Sequence, residues 1–161
     1  AVALRFCGMG VFDSVNHALT TAATGGFSTK NASIAYFNSH SVEYVITFFM
    51  FLSGINYGLL FFVIFRGKVH KLIEDTQFKW YLMFLLIFTF IVGLSLFIST
   101  PYNGSSALRN ALFHVTAIIT TTGFTSTDYT QWPPFIWMTL GLCMYFGACA
   151  GSTTGGMKSI R

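Results

Sequence analysis

The sequence predicts an all-α membrane protein. Its unit is a helix–strand–helix repeat: a short re-entrant helix, a glycine-bearing strand and a spanning helix, with one spanning helix broken by glycine. Three observations predict it. Hydrophobic residues make up 53% of the chain and charged residues 9%, against about 25% charged in soluble domains. Two uncharged apolar runs reach the length needed to cross a bilayer, roughly 20 residues. A short motif of threonine, glycine and phenylalanine occurs twice, each time after a short semi-apolar segment.

The elements follow in order. Phe12–Ala23 is too short to cross and reads as a helix of three or four turns, with Asp13 and Ser14 as candidate caps. It runs into Thr24-Gly25-Gly26-Phe27. Tyr44–Phe65 carries no charge and reads as a span. Trp80–Ile98 is a second uncharged span, and Ser105–Thr120 a second short helix with Ser105 or Ser106 as cap, ending in Thr121-Thr122-Gly123-Phe124. Pro134–Ala150 is a shorter apolar run that passes into Gly151-Ser152-Thr153-Thr154-Gly155-Gly156, then Met157 and Lys158. That order reads as helix, glycine-rich break and resumed helix. The expected organisation is a first repeat over 1–65, a loop over 66–79 and a second repeat over 80–161. The chain starts without Met and reads as a piece of something longer.

Charge sets the expected orientation. Residues 66–79 hold Arg66, Lys68, Lys71 and Lys79, whereas 16–43 and 99–133 hold only Lys30 and Arg109. The positive-inside rule places 66–79 in the cytoplasm. Lys158 and Arg161 fall on the same side if 134–160 crosses once, so both short helices enter from outside and return there. The formal net charge is +4, but the basic residues form no patch, which excludes nucleic acid as a partner. Cys7, Cys143 and Cys149 are odd in number and read as small packing residues, without a disulfide or metal framework. No paired carboxylates, Cys/His cluster or nucleophile–base pair stands at usable spacing, so the sequence does not read as an enzyme.

Laying His17 over His114 reveals an internal repeat. Thr24 falls on Thr121, Gly26 on Gly123 and Phe27 on Phe124, while Ser28/Thr125 and Thr29/Ser126 keep a hydroxyl. Each copy is followed by a polar stretch and an apolar run. This order suits a cation. Rings of backbone carbonyls replace the hydration shell of K⁺, glycine permits the dihedrals such a strand needs, and a short helix directs the negative end of its dipole at the ion. Non-helical backbone at membrane depth is tolerated where it is buried or lines a water-filled cavity. Two filters are therefore expected, Thr24–Phe27 and Thr121–Phe124, binding K⁺ through backbone carbonyls alone and needing no covalent cofactor.

Thr24-Gly25-Gly26-Phe27-Ser28-Thr29, Thr121-Thr122-Gly123-Phe124-Thr125 and especially Gly147-Ala148-Cys149-Ala150-Gly151-Ser152-Thr153-Thr154-Gly155-Gly156-Met157-Lys158 resemble the TrkH branch of the Trk/Ktr/HKT potassium transporters. Ser53-Gly54-Ile55-Asn56-Tyr57 is similar to that family too. The resemblance implies one pore made of four helix–filter–helix repeats, of which this chain holds the second-repeat filter through the broken helix of the third. It implies that Gly147, Ala150, Gly151, Ser152, Thr153, Thr154, Gly155, Gly156 and Lys158 belong to an intramembrane gating loop. It also implies potassium uptake in a bacterial cytoplasmic membrane by a multi-pass protein. The implied partners are the remaining repeats of the parent chain, membrane lipid, a second copy of the parent in a homodimer and a cytoplasmic nucleotide-binding regulatory ring.

A competing reading is a non-conducting membrane assembly subunit, in which Gly147-x-x-x-Gly151 and Gly151-x-x-x-Gly155 serve helix packing only. Gly151–Ser159 departs from a phosphate-binding loop because Met157 separates Gly156 from Lys158. His17 and His114 are read as packing or hydrogen-bonding groups behind the strands. Asn56 is expected to bond to a neighbouring helix or a strand. Asp128 is read as a solvated loop carboxylate, Lys30 as a solvated or ion-tuning lysine, and Trp80, Trp132 and Tyr102 as interface anchors.

Overall fold

The computed structural model describes residues 1–67 and 69–156. Lys158, and with it Lys68 and Arg161, lies outside them. Eight α-helices follow in order: α1 (Val2–Phe6), α2 (Val11–Ala22), α3 (His40–Ser53), α4 (Tyr57–Arg66), α5 (Val69–Glu74), α6 (Thr76–Ser99), α7 (Gly104–Ile119) and α8 (Pro134–Cys143). Short 3₁₀ turns occupy Ser33–Phe37 and Tyr129–Gln131.

Helix α6 is the one described helix that is long and apolar enough to cross a membrane alone. It starts earlier than the sequence suggested, because Asp75 caps it by accepting from the Phe78 amide at 2.9 Å. It ends before Thr100, which precedes Pro101 and is extended. Its outer face leaves Leu86, Phe90, Phe97 and Ile98 exposed, a surface that suits lipid rather than water. Its inner face lies close to α7. A Cβ on Gly93 would come within 3.0 Å of Leu108, and Ala107 and Ala111 are fully buried there. Small residues on both helices permit this approach.

The run Tyr44–Phe65, expected as one span, is broken. Helices α3 and α4 meet at a 106° bend across Gly54–Asn56. Asn56 causes part of the break. Its side chain turns back to accept from the Gly58 amide at 2.8 Å, capping α4 instead of reaching a neighbouring helix. The expected caps of the short helices also differ. Gly10 and Asn103 hold the N-cap positions and neither makes a side-chain cap bond. Asp13 and Ser14 are instead inside α2, and Ser105 and Ser106 inside α7.

Two apolar cores share α7. One joins α6, α7 and α8 with Ile55, Ala148 and Cys149. The other joins Leu4, Ile34, Val42, Ile46 and Met50 to Phe113, Ala117 and Phe124. Helix α7 is therefore packed on two sides and locks the two repeats together. Cys143 and Cys149 are buried. Trp132 is buried against His114, with ring centroids 4.7 Å apart, rather than standing at an interface. Across the repeats, Glu43 of α3 pairs with Arg109 of α7 at 2.7 Å, both side chains largely buried.

Candidate ion site

The two short helices end in the same way. In α2, the Ala23, Thr24 and Gly25 amides donate to the carbonyls of Leu19, Thr21 and Thr20 at 2.9, 3.1 and 2.8 Å. In α7, the Thr120, Thr121 and Thr122 amides donate to Thr116, Ile118 and Ala117 at 2.9, 2.9 and 2.8 Å. These donors and acceptors correspond one for one under the sequence repeat. In a planar trans peptide, N–H and C=O point in opposite directions. Tying these amides back to the helix therefore turns the carbonyls of Ala23 and Thr24, and of Thr120 and Thr121, away from it.

Backbone hand repeats as well. Thr24 and Thr121 have φ of 50° and 54°, and Gly26 and Gly123 have 67° and 76°, while Gly25 and Thr122 between them stay negative. Such alternation gathers successive amides on one side of a strand, which leaves the carbonyls on the other. A β-branched residue with positive φ is a genuine outlier, and strain of this kind costs about 1–3 kcal/mol. Threonine bears it at the same position twice.

The strands also meet. A Cβ on Gly26 would overlap the Thr122 carbonyl oxygen, so only glycine allows this approach. Thr125, just after the second strand, is held by the first repeat: its carbonyl accepts from the Ile34 and Ala35 amides at 3.0 and 3.2 Å. Phe27 and Phe124 differ in surroundings. Phe27 is exposed, whereas Phe124 is buried in the second core.

The glycine-rich segment after α8 is not helical through Gly156. It is stitched into the break between α3 and α4. Breaking a helix frees backbone groups that need partners, and two of them serve the loop. The Gly54 carbonyl accepts from the Cys149 amide at 3.1 Å, and the Tyr57 amide donates to the Gly151 carbonyl at 3.2 Å. The Ala150 amide donates to Gln77 Oε1 at 3.1 Å. Gly151 has φ of 78°, and a Cβ there would lie 3.0 Å from the Asn56 amide nitrogen. Ser152 Oγ donates to the Cys149 carbonyl at 2.7 Å and lies 2.6 Å from Thr154 Oγ1. Gly156 comes back against Gly147, where an added Cβ would be 3.4 Å from the Gly147 Cα.

From there the loop reaches both strands. Thr24 Oγ1 donates to the Thr153 carbonyl at 3.1 Å, and the Gly155 amide donates to Thr121 Oγ1 at 2.8 Å. The two strained threonines thus hold the loop through equivalent hydroxyls. Tyr57 adds a third tether, its hydroxyl lying 3.2 Å from the Ala22 carbonyl and 3.3 Å from Thr153 Oγ1.

A family model described as "TrkH: Cation transport protein" matches residues 7–161. The chain belongs to the TrkH family. It is 38% identical to the Trk system potassium uptake protein TrkH of Salmonella typhimurium, over 100% of this chain and 34% of that protein. It is 32% identical to the Trk system potassium uptake protein TrkI of Halomonas elongata, over 100% of this chain and 32% of that one. Its fold matches the crystal structure of the potassium transporter TrkH from Vibrio parahaemolyticus with a TM-score of 0.94 and 36% identity, covering 99% of this chain and 35% of the other. The chain spans about a third of the length of these TrkH relatives. Family membership supports a membrane location and explains the exposed apolar belt of α6.

Of the expected filter residues, Gly26 meets Thr122 and Gly123, while Thr24 and Thr121 meet Thr153 and Gly155 of the loop. Sequence reasoning missed Tyr57, Gln77 and the Gly54 carbonyl as anchors of the loop. The one signal for them was Ser53-Gly54-Ile55-Asn56, a polar and glycine-containing interruption in an apolar run. Lys30 is engaged rather than free, 3.7 Å from Asp13 and over the Tyr36 ring at 4.9 Å. Asp128 is a loop carboxylate that accepts from Thr130 Oγ1, the Thr130 amide and Gln131. Those bonds hold its carboxyl below the usual range, the Thr130 hydroxyl foremost. Among the described residues no cluster of His, Cys, Asp and Glu is placed to hold a metal ion.

Proposed function

We propose that this chain supplies two of the four filters of a potassium uptake pore, together with its gate. The observation that carries this is the repeated strand geometry: two threonines and two glycines with positive φ, at equivalent positions, meeting at Gly26 and Thr122. Carbonyls along 24–27 and 121–124 replace the water shell of K⁺. Helices α2 and α7 enter from outside, stop before crossing, and add the negative ends of their dipoles near the ion. K⁺ passes inward and is bound by backbone oxygens alone.

The segment 147–156 is the gate. It closes the inner side of the filters while Thr24, Thr121 and Tyr57 hold it there, and it opens when those bonds release. Residues 1–65 belong to the second repeat, 66–79 to a cytoplasmic loop and 80–161 to the third. The remaining repeats of the full-length protein complete the pore in a bacterial cytoplasmic membrane. A homodimer of the parent and a cytoplasmic nucleotide-binding ring are supported by family resemblance. The names of the relatives, potassium uptake proteins of Trk systems, support potassium as cargo.

The test is flux through the full-length protein in lipid vesicles. K⁺ should enter down its gradient far faster than Na⁺, and shortening 147–156 should raise the K⁺ rate. Equal entry of the two ions would refute the filter, and an unchanged rate after shortening would refute the gate.

A further inference from the structure

His17 is fully buried. Its Nδ1 lies 2.7 Å from the Asp13 carbonyl. A carbonyl only accepts, so Nδ1 carries the proton, and in the neutral ring Nε2 is then an acceptor. Nε2 lies 2.9 Å from Ser28 Oγ, so the serine hydroxyl donates to it. Ser28 Oγ in turn accepts from the Lys30 amide at 3.1 Å. One imidazole thus fixes the direction of the chain immediately after the first strand.

The face of the same ring belongs to the other repeat. It stacks on Phe124 at 5.9 Å between centroids and 29° between planes, while Phe37 meets it edge-on at 5.4 Å. Phe124 closes the second strand. His114, the counterpart of His17, keeps the equivalent bond from Nδ1 to the Asn110 carbonyl at 2.9 Å, but its ring packs on Trp132 and Tyr129. The two histidines therefore share a position in the repeat and differ in what they hold.

We propose that His17 is a positioning residue that couples the two filters, linking Ser28 after the first to Phe124 of the second, so that ion discrimination depends on a side chain that never touches the ion. It sets the spacing of the two strands from behind, where Gly26 and Thr122 set it in front. This rests on reading the strands as filters.

The test compares variants of the full-length protein in vesicles, reading the K⁺/Na⁺ permeability ratio beside the amount of folded protein. His17→Phe keeps a ring against Phe124 and removes both hydrogen bonds. Ser28→Ala removes only the hydroxyl. Each should lower the ratio by about threefold to tenfold, the range one such bond supplies, and the double variant should be no worse than His17→Phe alone. His17→Gln, which keeps an acceptor near the Nε2 position, should recover part of the ratio. If His17→Phe folds poorly, Ser28→Ala and His17→Gln carry the comparison. A ratio unchanged in Ser28→Ala and His17→Phe, or losses that simply add, would overturn the coupling. Gly123→Ala runs in parallel: if it lowers the ratio while the His17 and Ser28 variants do not, only this proposal fails. If it too is without effect, the filter reading fails and takes this proposal with it.

Discussion

Tyr57→Phe removes one oxygen and leaves every backbone tether of the loop in place. The lost hydroxyl is 3.2 Å from the Ala22 carbonyl and 3.3 Å from Thr153 Oγ1. Both distances are long for hydroxyl bonds, the site is open to solvent, and only the contact with Thr153 reaches the loop, so its net worth there is near the low end of the usual range, about 0.5 kcal/mol. The bonds of Cys149 to Gly54 and of Tyr57 to Gly151 run through backbone and survive the change. If the described position of the loop is the shut one, that loss favours opening by about twofold. The assay is K⁺ flux through the full-length protein in vesicles at matched protein amounts. Flux should rise by about twofold with the K⁺/Na⁺ ratio intact, because the strands are untouched. Unchanged flux, or a lost ratio, would refute the view that Tyr57 acts on the loop.

Other expectations follow from single contacts. Arg109→Met leaves the Glu43 carboxylate without its 2.7 Å partner in a largely buried place. Stability should fall by about 3–5 kcal/mol, and replacing Glu43 by Leu as well should restore most of it, read by thermal unfolding in detergent. Gly26→Ala places a methyl onto the Thr122 carbonyl and adds strain at φ 67°; folded yield should drop sharply, whereas Gly25→Ala, whose Cβ meets nothing nearer than 3.5 Å, should fold. The Asp128 carboxyl is held low by its Thr130 and Gln131 bonds. Their contribution to loop order is therefore complete above the unfolded carboxyl pKa and is lost as pH falls through the lower folded value, so Asp128→Asn should matter at neutral pH and become silent in acid. Exchange of the 129–131 amides measures it.

The long helix α6 and the short helices α2 and α7 were legible because length and scarcity of charge decide them, whereas α5 lies in the segment 66–79 that reads as a loop. Helix α6 contains the uncharged apolar run Trp80–Ile98 and is bounded by Asp75 and by Thr100 before Pro101. The matched backbone turns at Thr24/Thr121 and Gly26/Gly123 were legible because the motif repeats. The bend between α3 and α4 was not. Gly54 and Asn56 sit inside an uncharged run, and composition alone favours continuing the helix. The loop that occupies the break comes from the far end of the chain, and without it the freed Gly54 carbonyl and Tyr57 amide would have no partner. Tertiary bonds also decided Asn56, which serves its own helix as a cap, and Trp132, which His114 draws into the core. The loop's contacts with Thr24 and Thr121 join residues far apart in sequence. No local pattern announces such pairs.

If carbonyls along these strands select the ion, a side chain at Gly123 must weaken that selection. A Cβ there meets nothing within 4 Å, so Gly123→Ala fits without a clash. Its cost is conformational: φ of 76° is unfavourable for alanine by about 1–2 kcal/mol, enough to turn the peptide and withdraw a carbonyl. In vesicles containing the full-length protein, the K⁺/Na⁺ permeability ratio of Gly123→Ala should fall by about tenfold while folded yield stays near that of the unaltered protein. A ratio equal to that of the unaltered protein, with the variant folded, would mean that these carbonyls do not select the ion.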